Sequence, residues 1–381
     1  MPDNSQTQPN AFNCEGGLVL NRSNFVMQPG EALELENFEP DIQGGYRRIN
    51  GFRKFVNQVI PFTSSSSETT LLVANFANKV VAARGEKIFT SSSAELAISI
   101  ASGTGMTGSG TISVGSTVGF SSSGTLQIDS EIFTYTGINS TTFTGVTRAT
   151  SSTTAAAHSK ASVVSESWTV RDTGRTSAAK YHFERFNFDG NEKIICVDQA
   201  NAPVVFNTAM AATDVSTSSV AGAKTVAAYR NHMFYAGKST SPQEIVFSEP
   251  FDEDGFNAGD GAGSIKVDDT VVALKVFRDS LFIFCENRIF KLTGSSLSNF
   301  AVEPVTRNIG CINSFTVQEF AGDLIFLGPD GLRTVAATAR IGDTELGTIS
   351  KNIQSLFDEN IKDAAAFDSV VIPDKTQYRI F

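Results

Sequence analysis

A unit of two apolar strands recurs along this chain at a nearly constant interval. In each copy an aromatic residue stands before a turn that contains Asn, Asp or Gly, and two apolar strands separated by a second turn follow. Successive aromatic residues lie 41, 48, 43 and 47 residues apart at Phe188, Tyr229, Phe277, Phe320 and Phe367. Hairpins that repeat about every 40–50 residues are typical of β-propeller blades. We therefore expect an all-β chain folded as an irregular β-propeller of about five to six hairpin blades.

The strands of this unit are continuously apolar rather than alternating. Because successive side chains point to opposite faces of a strand, such a strand is covered on both faces, as a blade is by its neighbours. The alternative is a twisted β-sandwich in which the spacing is coincidental. If the chain is a propeller, it is not a WD40 array, because the Trp-Asp dipeptide of those repeats is absent. The predicted strand pairs are 80–83 and 88–89, 194–197 and 204–206, 233–236 and 245–247, 281–285 and 289–292, 324–327 and 332–335, and 370–372 and 378–381.

Composition changes sharply between residues 91 and 165. Of these 75 residues, 41 are Ser, Thr or Gly and only five are charged. Such tracts are typical of flexible linkers, but residues 125–129, 132–136 and 142–146 have strand patterns separated by turns. Removing this stretch shortens the interval between Phe76 and Phe188 from 112 to 37 residues. The sequence therefore predicts an N-terminal segment with the first blade (1–90), an inserted small β domain (91–165) and the remaining blades (166–381).

One helix is predicted near the C-terminus. Ser350 stands at its N-cap position, and Ile353, Leu356, Phe357 and Ile361 share one face at a spacing of about 3.6 residues.

The final predicted strand runs to residue 381 without a following turn. We expect the last blade either to close on an N-terminal strand, at 46–49 or 52–56, or to be completed by residues of a longer natural protein.

Charge and cysteine content limit the classes of function. The chain has 30 Lys and Arg against 40 Asp and Glu, a net charge of −10, which argues against a protein that coats nucleic acid by neutralising phosphates. Residues 1–13 lack the features of a signal peptide, and no apolar stretch approaches the roughly 18–20 residues of a membrane span. The cysteines have neither C-x-x-C nor zinc spacing, so we expect buried free thiols at Cys14, Cys196, Cys285 and Cys311.

Residues with catalytic or metal-binding potential form no recognisable motif. His158, His182 and His232 have no partner at a metal-ligand or nucleophile spacing. The acidic run 252–254 lacks the pattern of an EF-hand loop, so we expect a solvated turn, with weak cation binding as the alternative. We likewise expect a strand-end turn at 268–269 rather than a paired-carboxylate site. The sequence therefore predicts no enzyme and assigns no catalytic, cofactor-binding or metal-binding residues.

The single basic cluster consists of Arg47, Arg48, Arg53 and Lys54. We expect it to lie on an exposed strand, with contact to an acidic neighbouring subunit as the alternative.

Two stretches resemble structural proteins of tailed bacteriophages. The first comprises Gly16-Gly-Leu, Pro29-Gly-Glu-Ala-Leu-Glu-Leu-Glu-Asn-Phe38 and Gly45-Tyr-Arg-Arg-Ile-Asn-Gly-Phe52. Together with residues 229–248, 309–311 and 327–331, it resembles the propeller-bearing tail nozzle of short-tailed phages, also called tail tubular protein B. The second, Gly124-Thr-Leu-Gln-Ile-Asp-Ser-Glu131 followed by Tyr135-Thr-Gly137, Thr144-Gly-Val-Thr-Arg148 and Thr154-Ala-Ala-Ala-His158, resembles a module found in many phage virion proteins.

The nozzle resemblance implies a structural virion protein of the phage tail, assembled in the host cytoplasm. It implies a homohexameric ring below the tail adaptor protein, with tail fibres as further partners. The ring would form the distal DNA channel, through which genomic DNA passes without specific binding, and would hold and then release the genome. Well-known nozzles are longer than this chain.

Two other classes of function stay open at this point. A virion-surface adhesin or fibre-anchoring module would use residues 91–165 as its recognition face. A carbohydrate-cleaving propeller would depend on Asp252, Asp254 or Asp268.

Overall fold

Most of the regular structure in the described part of this protein is antiparallel β-sheet, and a short α-helix lies near the C-terminus, so the all-β prediction is confirmed. The computed structural model describes residues 15–41, 44–65, 68–103, 105–106, 108–177, 180–336 and 348–381. The chain divides into two compact units: a central unit, Phe52–Lys266, and a terminal unit, Met1–Gly51 with Val267–Phe381. The boundaries expected at residues 90 and 165 stay predictions.

Three four-stranded sheets recur in the central unit, each an antiparallel meander. Sheet 1 consists of Thr70–Phe76, Lys79–Arg84, Lys87–Ser91 and Thr169–Asp172. Sheet 2 consists of His182–Phe186, Lys193–Val197, Val204–Asn207 and Ala212–Asp214. Sheet 3 consists of Thr225–Tyr229, His232–Lys238, Ser241–Phe247 and Gly263–Lys266, with a 3-10 turn at Ala258–Asp260.

The terminal unit continues the same plan. Sheet 4 consists of Val271–Phe277, Ser280–Cys285, Ile289–Thr293 and Ala301–Thr306. Sheet 5 consists of Gln318–Phe320, Asp323–Gly328 and Gly331–Thr334, preceded by a 3-10 turn at Ser314–Thr316. The terminal hairpin consists of Ser369–Ile372 and Gln377–Ile380, joined by the 3-10 turn Pro373–Lys375. The N-terminal segment pairs Gly17–Leu18 with Glu31–Ala32, and Phe38–Pro40 with Tyr46–Arg48, and has a 3-10 turn at Asn24–Val26.

Every predicted hairpin is present, but in the four-stranded sheets it forms only the two inner strands. The aromatic residue is the last residue of a preceding strand in four copies, at Phe76, Tyr229, Phe277 and Phe320. Two residues then turn the chain, often in the left-handed region, as at Arg230 (φ 50°) and Asn231 (φ 63°). Two-residue hairpin turns with positive φ match the twist of the strands that they join.

Both faces of the inner strands are covered, as their continuous apolar sequence predicts. In sheet 2, Ile194 and Cys196 pack into a core shared with sheet 1, while Ile195 and Val197 pack into a core shared with sheet 3. In the terminal unit, Phe284 of sheet 4 and Phe326 of sheet 5 lie in one core with ring centroids 5.4 Å apart. Alternation of side chains along each strand therefore builds a stack of sheets within each unit.

The Ser/Thr/Gly-rich stretch forms two small sheets around a core of its own. It leaves sheet 1 after Lys87–Ser91 and returns at Thr169–Asp172, where Thr169 is paired with Thr90. Phe133, Phe143 and Leu126 are fully buried at its centre. One sheet consists of Ser93–Glu95, Gly124–Ile128, Glu131–Tyr135 and Val163–Glu166, and the other of Gly110–Ser113, Gly137–Asn139 and Thr142–Val146.

The C-terminal helix is present, but its predicted cap and apolar face are only partly correct. The α-helix is Gln354–Asn360, preceded by the 3-10 turn Lys351–Ile353 and followed by the 3-10 segment Ile361–Ala366. Ser350 makes no capping hydrogen bond: its ψ of 7° departs from the extended conformation of an N-cap, and its hydroxyl accepts the Leu332 N–H at 3.1 Å. Phe357 is buried, whereas Leu356 is 41% exposed, since seven residues of α-helix place only a narrow stripe against the core.

Neither expected N-terminal closing strand pairs with a late strand in the described part of the chain. Tyr46–Arg48 pairs with Phe38–Pro40, and residues 52–56 form no strand. The two strands of the terminal hairpin pair with each other.

Candidate functional sites

The most highly connected polar group in the inserted sheets is a buried ion cluster. Both oxygens of the Glu131 carboxylate face the Arg148 guanidinium, with Nε–Oε1 and Nη2–Oε2 distances of 2.8 and 2.7 Å. The His158 ring lies between two carboxylates, with Nδ1 2.7 Å from Asp129 and Nε2 2.9 Å from Glu131. Glu131 lies at the start of one strand, and His158 lies 27 residues later in a loop. The loop that carries His158 is thereby fixed to the sheet.

Glu131 is held in its charged form by this surrounding. Burial alone would raise its pKa, but hydrogen bonds from Arg148, from the Ala156 N–H and from His158 outweigh burial and lower the pKa to about 2. The Ala149 N–H also donates to Glu131, at 3.0 Å. Since the buried carboxylate and guanidinium satisfy each other, removal of either partner would leave an uncompensated buried charge in these sheets.

Sequence spacing did not reveal this cluster. The partners of His158, Asp129 and Glu131, lie 29 and 27 residues away in sequence, which matches no metal-ligand or nucleophile spacing. All four residues of the cluster do lie within residues 124–158, the stretch whose sequence resembles a phage virion module.

The acidic run at 252–254 is an ordered loop beside sheets 2 and 3. Lys193 of sheet 2 contacts the Glu253 carboxylate at 2.7 Å, and the Tyr235 hydroxyl donates to the Glu253 carbonyl at 2.8 Å. Burial, together with the charges of Asp252 and Glu253, raises the pKa of Asp254. Like charges are therefore crowded at this loop. Among the described residues, no group of three or more His, Cys, Asp or Glu side chains is arranged to hold a metal ion.

Asp268 and Asp269 border a shallow polar depression of about 350 Å³ in the terminal unit. The Asp269 carboxylate accepts the N–H groups of Thr270 and Asn287 at 2.8 and 2.7 Å, which organises the turn before sheet 4. Asp268 forms an ion pair with Arg288. Both carboxylates therefore have partners within the turn region, as a strand-end turn requires.

His232 belongs to the packed interior of sheet 3. Its Nδ1 lies 2.6 Å from the Ser248 carbonyl oxygen, and its ring packs against Phe247 with centroids 5.6 Å apart. His182 lies in the first strand of sheet 2, opposite Val197. The three histidines thus lie in three separate elements.

A second buried ion cluster centres on Glu39, in the N-terminal segment. Its side chain is 2% exposed and accepts the Lys375 ammonium at 2.9 Å and the Arg47 Nε at 3.1 Å, and it also contacts Arg379. Hydrogen bonding from Lys375, followed by that from Arg47, lowers the pKa of Glu39. Within the terminal unit, this cluster ties the N-terminal strands to the terminal hairpin.

The exposed strand predicted for the basic cluster holds only Arg47 and Arg48, on Tyr46–Arg48, because Arg53 and Lys54 lie in no strand. Arg47 contacts Glu39, and Arg53 contacts Glu95.

Three of the four cysteines are buried free thiols, as predicted: Cys196, Cys285 and Cys311. Burial raises the pKa of Cys196 to about 12, so this thiol stays protonated. Cys14 lies outside the described residues.

The sequence matches no family model and no curated protein. Among solved structures, it is similar to the phage phi92 endosialidase, with 16% identity, 70% of this chain and 54% of that chain covered, and a TM-score of 0.39. Saccharomyces cerevisiae Sqt1 has 13% identity, coverage of 71% and 84%, and a TM-score of 0.30. Chaetomium thermophilum Raptor has 8% identity, coverage of 66% and 21%, and a TM-score of 0.29. TM-scores below 0.5 support no argument about function.

In the part of the chain that the structure describes, no helix is long and apolar enough to cross a membrane.

Proposed function

We propose that this chain is a structural subunit of a phage tail, a nozzle ring that forms the distal DNA channel and retains and then releases the genome. The observation that carries the proposal is the sequence resemblance of residues 16–52, 229–248, 309–311 and 327–331 to the tail nozzle. The proposed partners are further copies of this chain, the tail adaptor protein and tail fibres, and the proposed location is the virion tail.

The residues that carry this resemblance have architectural positions, which supports a structural role. Arg47 pairs with the buried Glu39 carboxylate, which joins the N-terminal segment to the terminal hairpin through Lys375 and Arg379. Gly310 lies so close to the carbonyls of Cys285 and Glu286 that a Cβ atom at this position would collide with both. The Asp330 carboxylate accepts the Arg333 Nε at 2.8 Å across the turn of sheet 5. Such residues position backbone rather than perform chemistry.

Rigidity and charge are also compatible with a conduit. Sheets covered on both faces resist deformation, since packed interiors have little free volume. A net charge of −10 would repel DNA phosphates within the screening distance of about 8–10 Å at physiological salt, so DNA would slide without adhering.

The deciding experiment is the position of the protein in the particle. A low-resolution map of virions that carry a bulky tag on this chain should place the tag on the tail axis, and negative-stain images of the chain with the adaptor ring should show six-fold symmetry. A peripheral tag would contradict the nozzle and favour the adhesin. Glycan binding that is lost on deletion of residues 91–165 would identify that alternative directly.

A further inference from the structure

Residues 52–62 form an ordered strap that is hydrogen-bonded to the protein through Asn57, Gln58 and Ile60 and whose large apolar side chains face solvent. Phe52, Phe55, Val59 and Phe62 are 93%, 57%, 79% and 56% exposed. Scattered single exposed apolar residues are ordinary on protein surfaces, but four within eleven residues form a stripe of the kind that marks an interaction site.

Hydrogen bonds hold the strap in place. The Asn57 side-chain amide donates to the carbonyls of Gln127 and Val163 at 2.8 and 2.7 Å, and its backbone N–H donates to the Ser165 hydroxyl at 3.1 Å. The Trp168 indole N–H donates to the Gln58 carbonyl at 3.1 Å.

Further along the strap, Arg84 donates to the Ile60 carbonyl at 2.7 Å and lies over the Phe62 ring. The exposed side chains are thus presented on a fixed backbone, which lowers the entropy lost when they bind.

The size of the stripe suits part of a protein–protein interface. At about 200 Å² for each phenylalanine side chain, the three phenylalanines expose on the order of 400 Å². A standard interface takes about 800 Å² from each partner. The stripe would therefore supply about half of one side.

Charge indicates what covers the strap. It carries exposed Lys54 and exposed Arg53, of which Arg53 pairs with Glu95, whereas the chain as a whole has a net charge of −10. The acidic loop of the central unit has the complementary character, since Phe251 is 58% exposed and exposed Asp252 and Asp254 follow it. Like charges crowded at this loop would be relieved by an approaching ammonium group.

We propose that the strap of one copy docks against the loop 251–254 of a second copy of this chain. Because strap and loop are different surfaces, the contact is heterologous and repeats from copy to copy, so it closes into a ring or extends into a filament. The inference rests on the proposed function for the expectation that the contacts close into a ring.

Sedimentation velocity of the full chain over a concentration series tests the contact. The variant F52S/F55S/V59S should weaken self-association more than tenfold, because it removes most of the apolar stripe. The matched control V73S/I98S, which changes apolar residues exposed elsewhere in the central unit, should associate like the wild type. Emission from Trp168, the single tryptophan, verifies that the strap stays docked in each variant.

A charge exchange tests the identity of the receiving surface. K54E and D252K should each weaken association on the order of threefold, and K54E/D252K should restore it, because the opposite charges then meet again across the contact. Failure of the double variant to restore association would overturn loop 251–254 as the receiving surface.

Two further results separate this inference from the proposed function. If F52S/F55S/V59S self-associates as strongly as the wild type, the strap contact is refuted and the ring proposal still stands. A wild-type chain that stays monomeric at high-micromolar concentration would refute docking on a second copy, while the position of the tag in the virion would still decide the nozzle.

Discussion

Substitution of a single residue in either buried ion cluster should cost more stability than substitution in an exposed ion pair. A charge left buried without its partner is costly, whereas exposed ion pairs contribute little. Glu131 is fully buried and Arg148 is 4% exposed, so this pair belongs to the first class. Arg53 and Glu95, both more than half exposed, belong to the second.

Replacing Glu131 should therefore destabilise the inserted sheets strongly. E131Q leaves the Arg148 guanidinium buried beside a neutral amide, and removal of one partner of a buried pair costs about 3–5 kcal/mol. E192Q, at an exposed position, should change the free energy of unfolding by less than about 0.5 kcal/mol. Urea denaturation followed by circular dichroism measures both. Equal stability of the two variants would contradict the predicted cost of breaking the buried pair.

The same carboxylate should give the inserted sheets a dependence on acid. Its pKa falls from the ordinary 4.5 to about 2 in the folded protein, so the folded state binds this proton less readily than the unfolded chain. The stabilisation is complete above the unfolded value and is lost as the pH falls through the folded value. The difference in unfolding free energy between wild type and E131Q should narrow as the pH drops from 4.5 towards 2. A difference that stays constant over this range would contradict the assignment.

At the scale of the element, the hairpin turn sets the register of each sheet. Asn231 adopts φ 63° between two strands of sheet 3, a conformation that Asn and Gly tolerate and β-branched residues do not. N231V should lower the stability by about 1–2 kcal/mol, whereas N231G, the matched control, should stay close to wild type. Thermal unfolding compares the two. A wild-type melting temperature in N231V would mean that the turn relaxes without cost.

Inner strands were predictable from the sequence, and outer strands were not. Lys193–Val197 and Ser280–Cys285 are buried on both faces, so their continuous apolar sequence identifies them. Ala301–Thr306 contains Pro304 and is largely exposed, which matches an edge strand but gives no pattern of its own. The sequence therefore shows which strands are covered on both faces, but not how many outer strands each sheet has.

Local sequence also does not predict how the C-terminal helix begins or which residues form the ion clusters. A serine at position 350 suits an N-cap, but its hydroxyl instead accepts the backbone N–H of Leu332, 18 residues earlier. Glu39 meets Lys375 and Arg379 across 336 and 340 residues of sequence. Contacts at such separation depend on the tertiary fold, and a single sequence without a spacing motif gives no sign of them.

At the scale of the whole molecule, the inserted sheets leave and re-enter sheet 1 at adjacent paired strands, so they can be deleted without breaking that sheet. Ser91 ends one strand of sheet 1, Thr169 begins the next, and Thr169 is paired with Thr90. Replacing residues 92–167 by Asn-Gly would therefore close a two-residue hairpin between Ser91 and Trp168. The insertion has its own core, so sheets 1 to 3 should keep cooperative unfolding without it.

The strap should respond to this deletion although it lies outside the deleted residues. It would lose the hydrogen bonds of Asn57 to Gln127, Val163 and Ser165, the Gln58 side-chain bond to Ser167 and the Arg53–Glu95 ion pair. It would keep the bonds that the Gln58 and Ile60 carbonyls accept from Trp168 and Arg84. We expect trypsin to cut after Arg53 or Lys54 several-fold faster in the deletion variant, while peptides of sheets 2 and 3 keep their protection from hydrogen exchange. The full-length variant N57A, which removes the side-chain bonds but not the insertion, should show intermediate cleavage. Loss of protection throughout the central unit would mean that the insertion is integral to the sheets, and unchanged cleavage would mean that its contacts with the strap do not hold the strap in place.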